Sequence, residues 1–285
     1  MGYFTSSLSL PQQNALTIDV EEWFHVCGLP SDPVVRRCEW RVEQNIARLL
    51  ALLSRHGIKA TFFVLGSVAE EVPTLVPLIA AKGHEIASHG YSHRLVYDLT
   101  KAAFRDEIRK THDILLRQSG QVPVGFRAPQ WSLTPQRTPW ALEVLCEEGY
   151  CYDSSCNPLP FVGDRQGERT PHRLPAGNGT IWEIPPMVTS TPLVNLPTGG
   201  GWGFRFFPCR LIERTIARTN NGGSPAVLYL HPRELDPDGP RLRLPALKSF
   251  ATYGPRHDVV PRLERLLRRY RFTTLRDLVT TWESA

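Results

Sequence analysis

The chain has 285 residues, 41% of them hydrophobic and 21% charged, a composition that excludes a disordered tail and a collagen-like or disulfide-scaffold protein. Lys+Arg 33 against Asp+Glu 28 gives a net charge of +5, and the basic residues are dispersed apart from one run at 262–271, which argues against a nucleic-acid partner. No apolar stretch approaches the roughly 18–20 residues that a membrane-spanning helix needs.

The first fourteen residues carry neither a basic nor an apolar signal region, so cytoplasm is the expected compartment, and residues 1–13 read as a tail. Residues 15–20 then read as a strand. Residues 40–55 read as a helix, with Val42, Ile46, Leu49, Leu50 and Leu53 at helical spacing before Gly57. A strand is expected at 59–65, a helix with an internal proline at 68–81 and a third strand at 84–88. Further along come a charged helix at 101–118, a strand at 122–127, a proline-opened helix at 135–148 and a short strand at 151–153. Residues 157–207 are rich in Pro and Gly, with one strand at 180–184, and read as a substrate-facing insertion. A helix at 208–219, a strand at 226–231, a basic helix at 259–269, a strand at 272–274 and a closing helix at 275–282 complete the chain. Alternation of β and α implies a mostly parallel sheet covered by helices. Six cysteines, Cys27, Cys38, Cys146, Cys151, Cys156 and Cys209, are too few for a disulfide framework and read as reduced thiols.

Chemistry concentrates at strand ends. His89-Gly90-Tyr91-Ser92-His93 puts two imidazoles four positions apart just past a strand, a spacing that suits one divalent ion and equally two solvated loop histidines. Asp19 and Glu21, two apart where the first strand runs out, share a face. One can complete a two-His, one-carboxylate metal set while the other takes a proton from water, or both can belong to an acidic turn. Phe126-Arg127-Ala128-Pro129 and Leu228-Tyr229-Leu230-His231-Pro232 mark two more strand ends. Arg127 can orient a carboxylate through a charge-assisted fork, or simply bridge to a helix acid. His231 reads as a reactive or a core histidine. In a parallel α/β barrel such termini converge on one mouth.

Together these segments resemble the five motifs of NodB-type polysaccharide deacetylases, carbohydrate esterase family 4. Thr17-Ile18-Asp19 resembles the first, His89 to His93 the second, Arg127-Ala128-Pro129 the third, Tyr152-Asp153-Ser154-Ser155 the fourth and Leu228 to His231 the fifth. The Asp-Val-Glu-Glu-Trp-Phe opening, the Gly-Gly-Gly-Trp turn at 199–202 and the Tyr-Leu-His-Pro-Arg-Glu-Leu-Asp-Pro tail at 229–237 look like the exosortase-associated subgroup linked to exopolysaccharide synthesis.

The resemblance implies an irregular (β/α)7-type barrel, one NodB-homology domain with a C-terminal extension at 232–285. It implies metal-dependent hydrolysis of an N-acetyl group from an N-acetylhexosamine of an exopolysaccharide or its lipid-linked precursor. Asp19 would be the general base with Arg127 its orienting partner, His231 the general acid, and Asp153 the residue setting the tautomer of His231. His89 and His93 would hold the metal, zinc above cobalt, nickel or manganese. The usual adjacent aspartate is Val20 here, so the third ligand falls to Glu21, with Glu22 a lesser candidate. Backbone N–H groups at 129–131 would hold the oxyanion. Gln130, where relatives often carry Tyr, Trp131 and Trp202 would contact sugar, whereas Trp23 reads as core. The basic helix is either a solvated face or a weak contact to a membrane surface or lipid-linked glycan. A small cyclic amide or natural-product amino sugar is the alternative substrate, and a non-catalytic carbohydrate-binding protein the alternative class.

Overall fold

The computed structural model describes residues 13–25, 40–254 and 259–284; most of the expected tail, with Cys27 and Cys38, lies outside them. Strand β1 (Gln13–Val20) is the hub of the sheet, because three neighbours pair with it in succession. The last strand pairs along Gln13 to Ala15, the strand that delivers His231 along Ala15 to Ile18, and the second strand along Thr17 to Val20.

Helix α1 (Val42–His56) leads to β2 (Thr61–Val64), and the helix expected at 68–81 is two, α2 (Gly66–Glu71) and α3 (Leu75–Ala81). Pro73 causes the break, since it has no N–H and its ring clashes with the preceding turn, whereas Pro77 sits in the first turn of α3, where an N–H would be unpaired anyway. Then follow β3 (Glu85–Ser88), α4 (Lys101–Ser119, capped by the Thr100 hydroxyl), β4 (Gly125–Phe126), α5 (Pro139–Glu147) and β5 (Tyr152–Asp153). Helix α5 opens on Pro139 rather than Pro135.

Within the stretch expected as an insertion, residues 172–183 join the sheet. Strands β6 (His172–Ala176) and β7 (Gly179–Glu183) form a hairpin whose second strand runs parallel to β5. Strand β6 escapes sequence reading because it is an edge strand with alternating exposure and a proline, so it has no apolar run. Short strands β8 (Thr189–Ser190) and β9 (Asn195–Leu196) precede α6 (Gly201–Phe206), α7 (Cys209–Asn221) and β10 (Val227–Leu230). The chain closes with α8 (Ala246–Tyr253), α9 (Val259–Arg269), β11 (Arg271–Thr273) and α10 (Leu275–Glu283).

The order β10-β1-β2-β3-β4-β5-β7-β6 is parallel up to β7 and antiparallel at β6, and its two ends do not pair. The α/β class is therefore present as a curled, mixed half-barrel. Period-two alternation sorts the strand residues. Leu16, Ile18, Val20, Phe62, Val64, Ile86, Leu228 and Leu230 face the helical layer, packing with α1 and α9 residues such as Ile46, Leu49, Leu263 and Leu266. Ala15, Phe63, Ala87 and Val227 face inward, where Leu275, Leu278 and Val279 of α10 pack among them. The inner residues nearer the strands' C-terminal ends are polar, and they build the site.

Two parts of the C-terminal region are held internally. Arg265 of α9 forks onto Glu213 at 2.7 and 2.9 Å, and Arg262 donates to the carbonyls of Phe204 and Phe207, so these members of the basic run face protein partners. The Gly199–Gly200 turn lies against β10, with the Tyr229 amide donating to the Gly199 carbonyl at 2.9 Å. A Cβ on Gly200 would sit 2.2 Å from the Tyr229 carbonyl oxygen, which is why the turn is glycine. Among the described residues no helix is long and apolar enough to cross a membrane, and Cys146, Cys151, Cys156 and Cys209 are free.

Candidate metal centre and catalytic cluster

Asp19 is 2% exposed at the end of β1, and its Oδ1 accepts from Arg127 Nη1 at 2.8 Å. Arg127, fully buried, also donates to Thr17 Oγ1 at 2.7 Å, to Ser154 Oγ at 2.8 Å and to the Ser154 carbonyl at 3.1 Å. Its guanidinium lies 4.2 Å over the Phe63 ring. Burial of so large a cation is sustained only because its donors are met and a carboxylate faces it.

The backbone turns just after β1, with the Glu21 amide donating back to the Asp19 carbonyl. That turn keeps Glu21 beside Asp19 and sends Glu22 away. Glu21 Oε2 lies 2.6 Å from His93 Nε2, and its Oε1 pairs with Arg233. Burial works to raise the Glu21 carboxyl, but Arg233, His93 and His231 outweigh it and hold it well below the usual range. Glu22 instead accepts from the Trp23, Arg41 and Val42 amides, capping the start of α1. The choice between adjacent glutamates is thus geometric: one faces the histidines, the other is spent on a helix end.

His89 is buried, and its Nδ1 donates to the Arg127 carbonyl at 2.7 Å, which directs Nε2 outward as a free lone pair. Burial holds its imidazole at about 4, in the neutral form a metal requires. His93 adopts a left-handed backbone, φ 59°, and this brings its ring to within 5.6 Å of His89. One ligand atom each from Glu21, His89 and His93 lie within 4.8 Å of one another, and two imidazoles with one carboxylate suit a zinc-like ion with bonds of about 2.0–2.2 Å. The residues present fit the metal that the resemblance implies.

His231 completes the cluster: its Nε2 is 3.8 Å from Asp19 Oδ2 and 3.6 Å from Glu21 Oε1. Asp153 is not its partner. The carboxylate facing His231 Nδ1 is Glu234 at 3.6 Å, supplied by the 3₁₀ turn Pro232–Leu235, while Asp153 binds Ser155 and lies in register with Glu183 in a separate buried group. The expectation fails because β5 holds Asp153 against β7, and sequence spacing carries no information on that pairing.

The aromatic candidates separate. Trp131 packs edge-on against Tyr229 at 4.9 Å and lies 5.1 Å from Arg127, beside the cluster, and neighbouring Gln130 is exposed. Gln130 and Trp131 both have left-handed backbones, and the Trp131 amide is used on the Ala128 carbonyl, so it is not free to hold an oxyanion. Trp202 belongs to another group, with Phe206, Phe207 and Phe250. Trp23 is 7% exposed and packs on Phe24. Sequence reading assigned no role to His25, Arg233 or Glu234. His25, whose Nδ1 accepts from the Glu22 amide and whose ring lies 5.5 Å from His93, is pushed down to about 3 by burial. The available signal was their position, three residues after Glu22 and two and three residues after His231.

Comparison with known proteins finds two family matches along the chain. Residues 35–143 match the polysaccharide deacetylase family and residues 154–280 a domain of unknown function (DUF3473). Over residues 35–143 the chain is thus similar to polysaccharide deacetylases, and its C-terminal part is similar to the DUF3473 domain. It is 38% identical over 96 residues, 34% of this chain and 35% of the relative, to a peptidoglycan-N-acetylglucosamine deacetylase of Bacillus cereus. The chain spans about a third of the length of the curated relatives it matches. In structure it resembles a protein described as a polysaccharide deacetylase from Mycobacterium smegmatis, with a TM-score of 0.65 and 21% identity over 97% of this chain and 93% of the other. An allantoinase shares the fold at a TM-score of 0.64 and 16% identity, covering 96% of this chain and 90% of its own.

Proposed function

We propose that this chain is a divalent-metal-dependent N-deacetylase of N-acetylhexosamine units in a polysaccharide, specifically an exopolysaccharide or its lipid-linked precursor. The observation that carries the reading is the convergence of Glu21, His89 and His93 within 4.8 Å, beside an Asp19 gripped by Arg127 and within 3.8 Å of His231. Bound there, zinc, or cobalt, nickel or manganese in its place, would polarise the acetyl carbonyl and favour attack by water. Arg127 keeps the Asp19 carboxylate oriented to accept a proton from that water. His231 gives a proton to the amine as the C–N bond breaks, releasing acetate. Glu234, held by the His231 amide at 3.3 Å, faces the other ring nitrogen and stabilises the protonated imidazole. Trp131 and Gln130, beside the cluster, supply the sugar-facing surface.

The test is acetate release from N-acetylglucosamine oligomers with added zinc or cobalt, alongside other N-acetylated glycans and a cyclic amide. Asp19→Asn is expected to lower kcat by about 10²–10⁴-fold, the range for a general base. Turnover of the cyclic amide alone would overturn the substrate class, and glycan binding with no acetate would overturn the enzymatic reading.

A further inference from the structure

The cluster beneath Arg127 contains two carboxyl groups that the reaction does not use. Asp153 and Glu183 are both fully buried on adjacent parallel strands, directly in register. One oxygen of each is satisfied: Asp153 Oδ1 accepts from Ser155 Oγ at 2.5 Å, and Glu183 Oε1 from the Cys156 amide at 3.0 Å. The other oxygens, Asp153 Oδ2 and Glu183 Oε2, are buried with no hydrogen-bond partner, and a carboxylate oxygen of each side chain lies within 4.8 Å of one on the other. Two carboxylate oxygens can bond only through a proton. The Cys156 thiol lies within 4.8 Å of both, yet three donors would leave an ion without the closed fourfold shell of a buried structural site.

The pair is wired to the active site. Ser155 Oγ, bound to Asp153, accepts from the Ala128 amide at 2.8 Å. Ser154, between them, receives two Arg127 bonds and donates its hydroxyl to the Ile184 carbonyl at 2.7 Å. We propose that Asp153 and Glu183 share one proton, and that this acid pair locks residues 154–156 into the seat on which Arg127, and through it Asp19, is set. Glu183 is thus a positioning residue, a role that rests on the reading of Asp19 as base. The surrounding charged and titratable groups are Arg127 from β4, Cys156 and Asp164 from the following loop, and His172 opposite Glu183 on β6, its ring bound to the Thr170 carbonyl. Burial pushes Asp153 up to about 6 and raises Glu183 well above its usual range, the direction expected of a pair that holds one proton.

Glu183→Gln, whose amide can accept from Cys156 and donate to Asp153 without titrating, is compared with Glu183→Met, which can do neither. The wild type is expected to show a deuterium-sensitive carboxylic-acid band in the infrared at pH 7, lost in Glu183→Gln. Glu183→Gln should keep kcat within about twofold, whereas Glu183→Met should lose about tenfold or more in kcat with KM little changed, the signature of a misplaced catalytic group. A pair whose folded pKa is raised contributes stability that is complete below the unfolded value and lost as pH rises, so the thermal midpoint of the wild type should fall relative to Glu183→Gln as pH rises from about 4 through about 6 and above. Should Glu183→Met fail to fold, the infrared band and the pH series decide. A missing acid band, equal losses in both variants, or a second bound metal equivalent removed by Cys156→Ser would overturn the proposal. If the wild type releases no acetate, the infrared and stability arms still judge the shared proton, while the deacetylase reading fails separately.

Discussion

Replacing Arg127 by Met would remove the cation facing Asp19 while filling similar volume. Asp19 would then be a carboxylate 2% exposed with no guanidinium against it, and Thr17 Oγ1 and the Ser154 carbonyl and hydroxyl would each lose a donor. Breaking one side of a buried ion pair costs about 3–5 kcal/mol, because the remaining charge keeps its desolvation penalty. Much of that penalty belongs to the stranded carboxylate and not to the lost bonds, so Asp19→Asn placed in the Arg127→Met background should recover part of it. A coupling of about 1–3 kcal/mol between the two substitutions is expected, measured by urea unfolding of the wild type, both single variants and the double. Additivity within about 0.5 kcal/mol would refute the claim that Arg127 is the counter-charge of Asp19.

Other perturbations test neighbouring parts. Glu21→Gln should abolish stoichiometric zinc retention with little loss of fold, whereas Glu22→Gln should keep the metal and lower stability by about 0.5–2 kcal/mol, the range for a helix cap; the reverse pattern in metal analysis would exchange the two roles. Burial holds His84 at about 4, its Nδ1 accepting from the Ala60 amide. Its unfolded value is about 6.5, so its stabilising effect is complete above that pH and is lost as pH falls towards 4; thermal midpoints of wild type and His84→Gln across this window should converge at the acid end. Gly200→Ala forces a methyl against the Tyr229 carbonyl and should cost about 1–3 kcal/mol by calorimetry, with an unchanged midpoint showing that the Gly199–Gly200 turn does not press on β10.

What the sequence determined by itself is local. The strand leading to Asp19, the His89–His93 pair, and the helices at Val42–His56 and Val259–Arg269 follow from side-chain period, cap residues and β-branched density, all of which act within a few residues. That Glu21 faces the histidines agrees with the same-face argument, since Val20 is committed to the core. Tertiary structure decided which distant groups meet. Glu234 replaces Asp153 as the neighbour of His231, and Asp153 pairs with Glu183 through strand register. The edge strand His172–Ala176 exists only because β7 lies beside it. Arg233 reaches Glu21 across a separation in sequence that no spacing rule spans. Periodicity reports which face a residue occupies; the partner on that face is set by how the sheet curls and by which buried charges must find one another to offset their lost hydration.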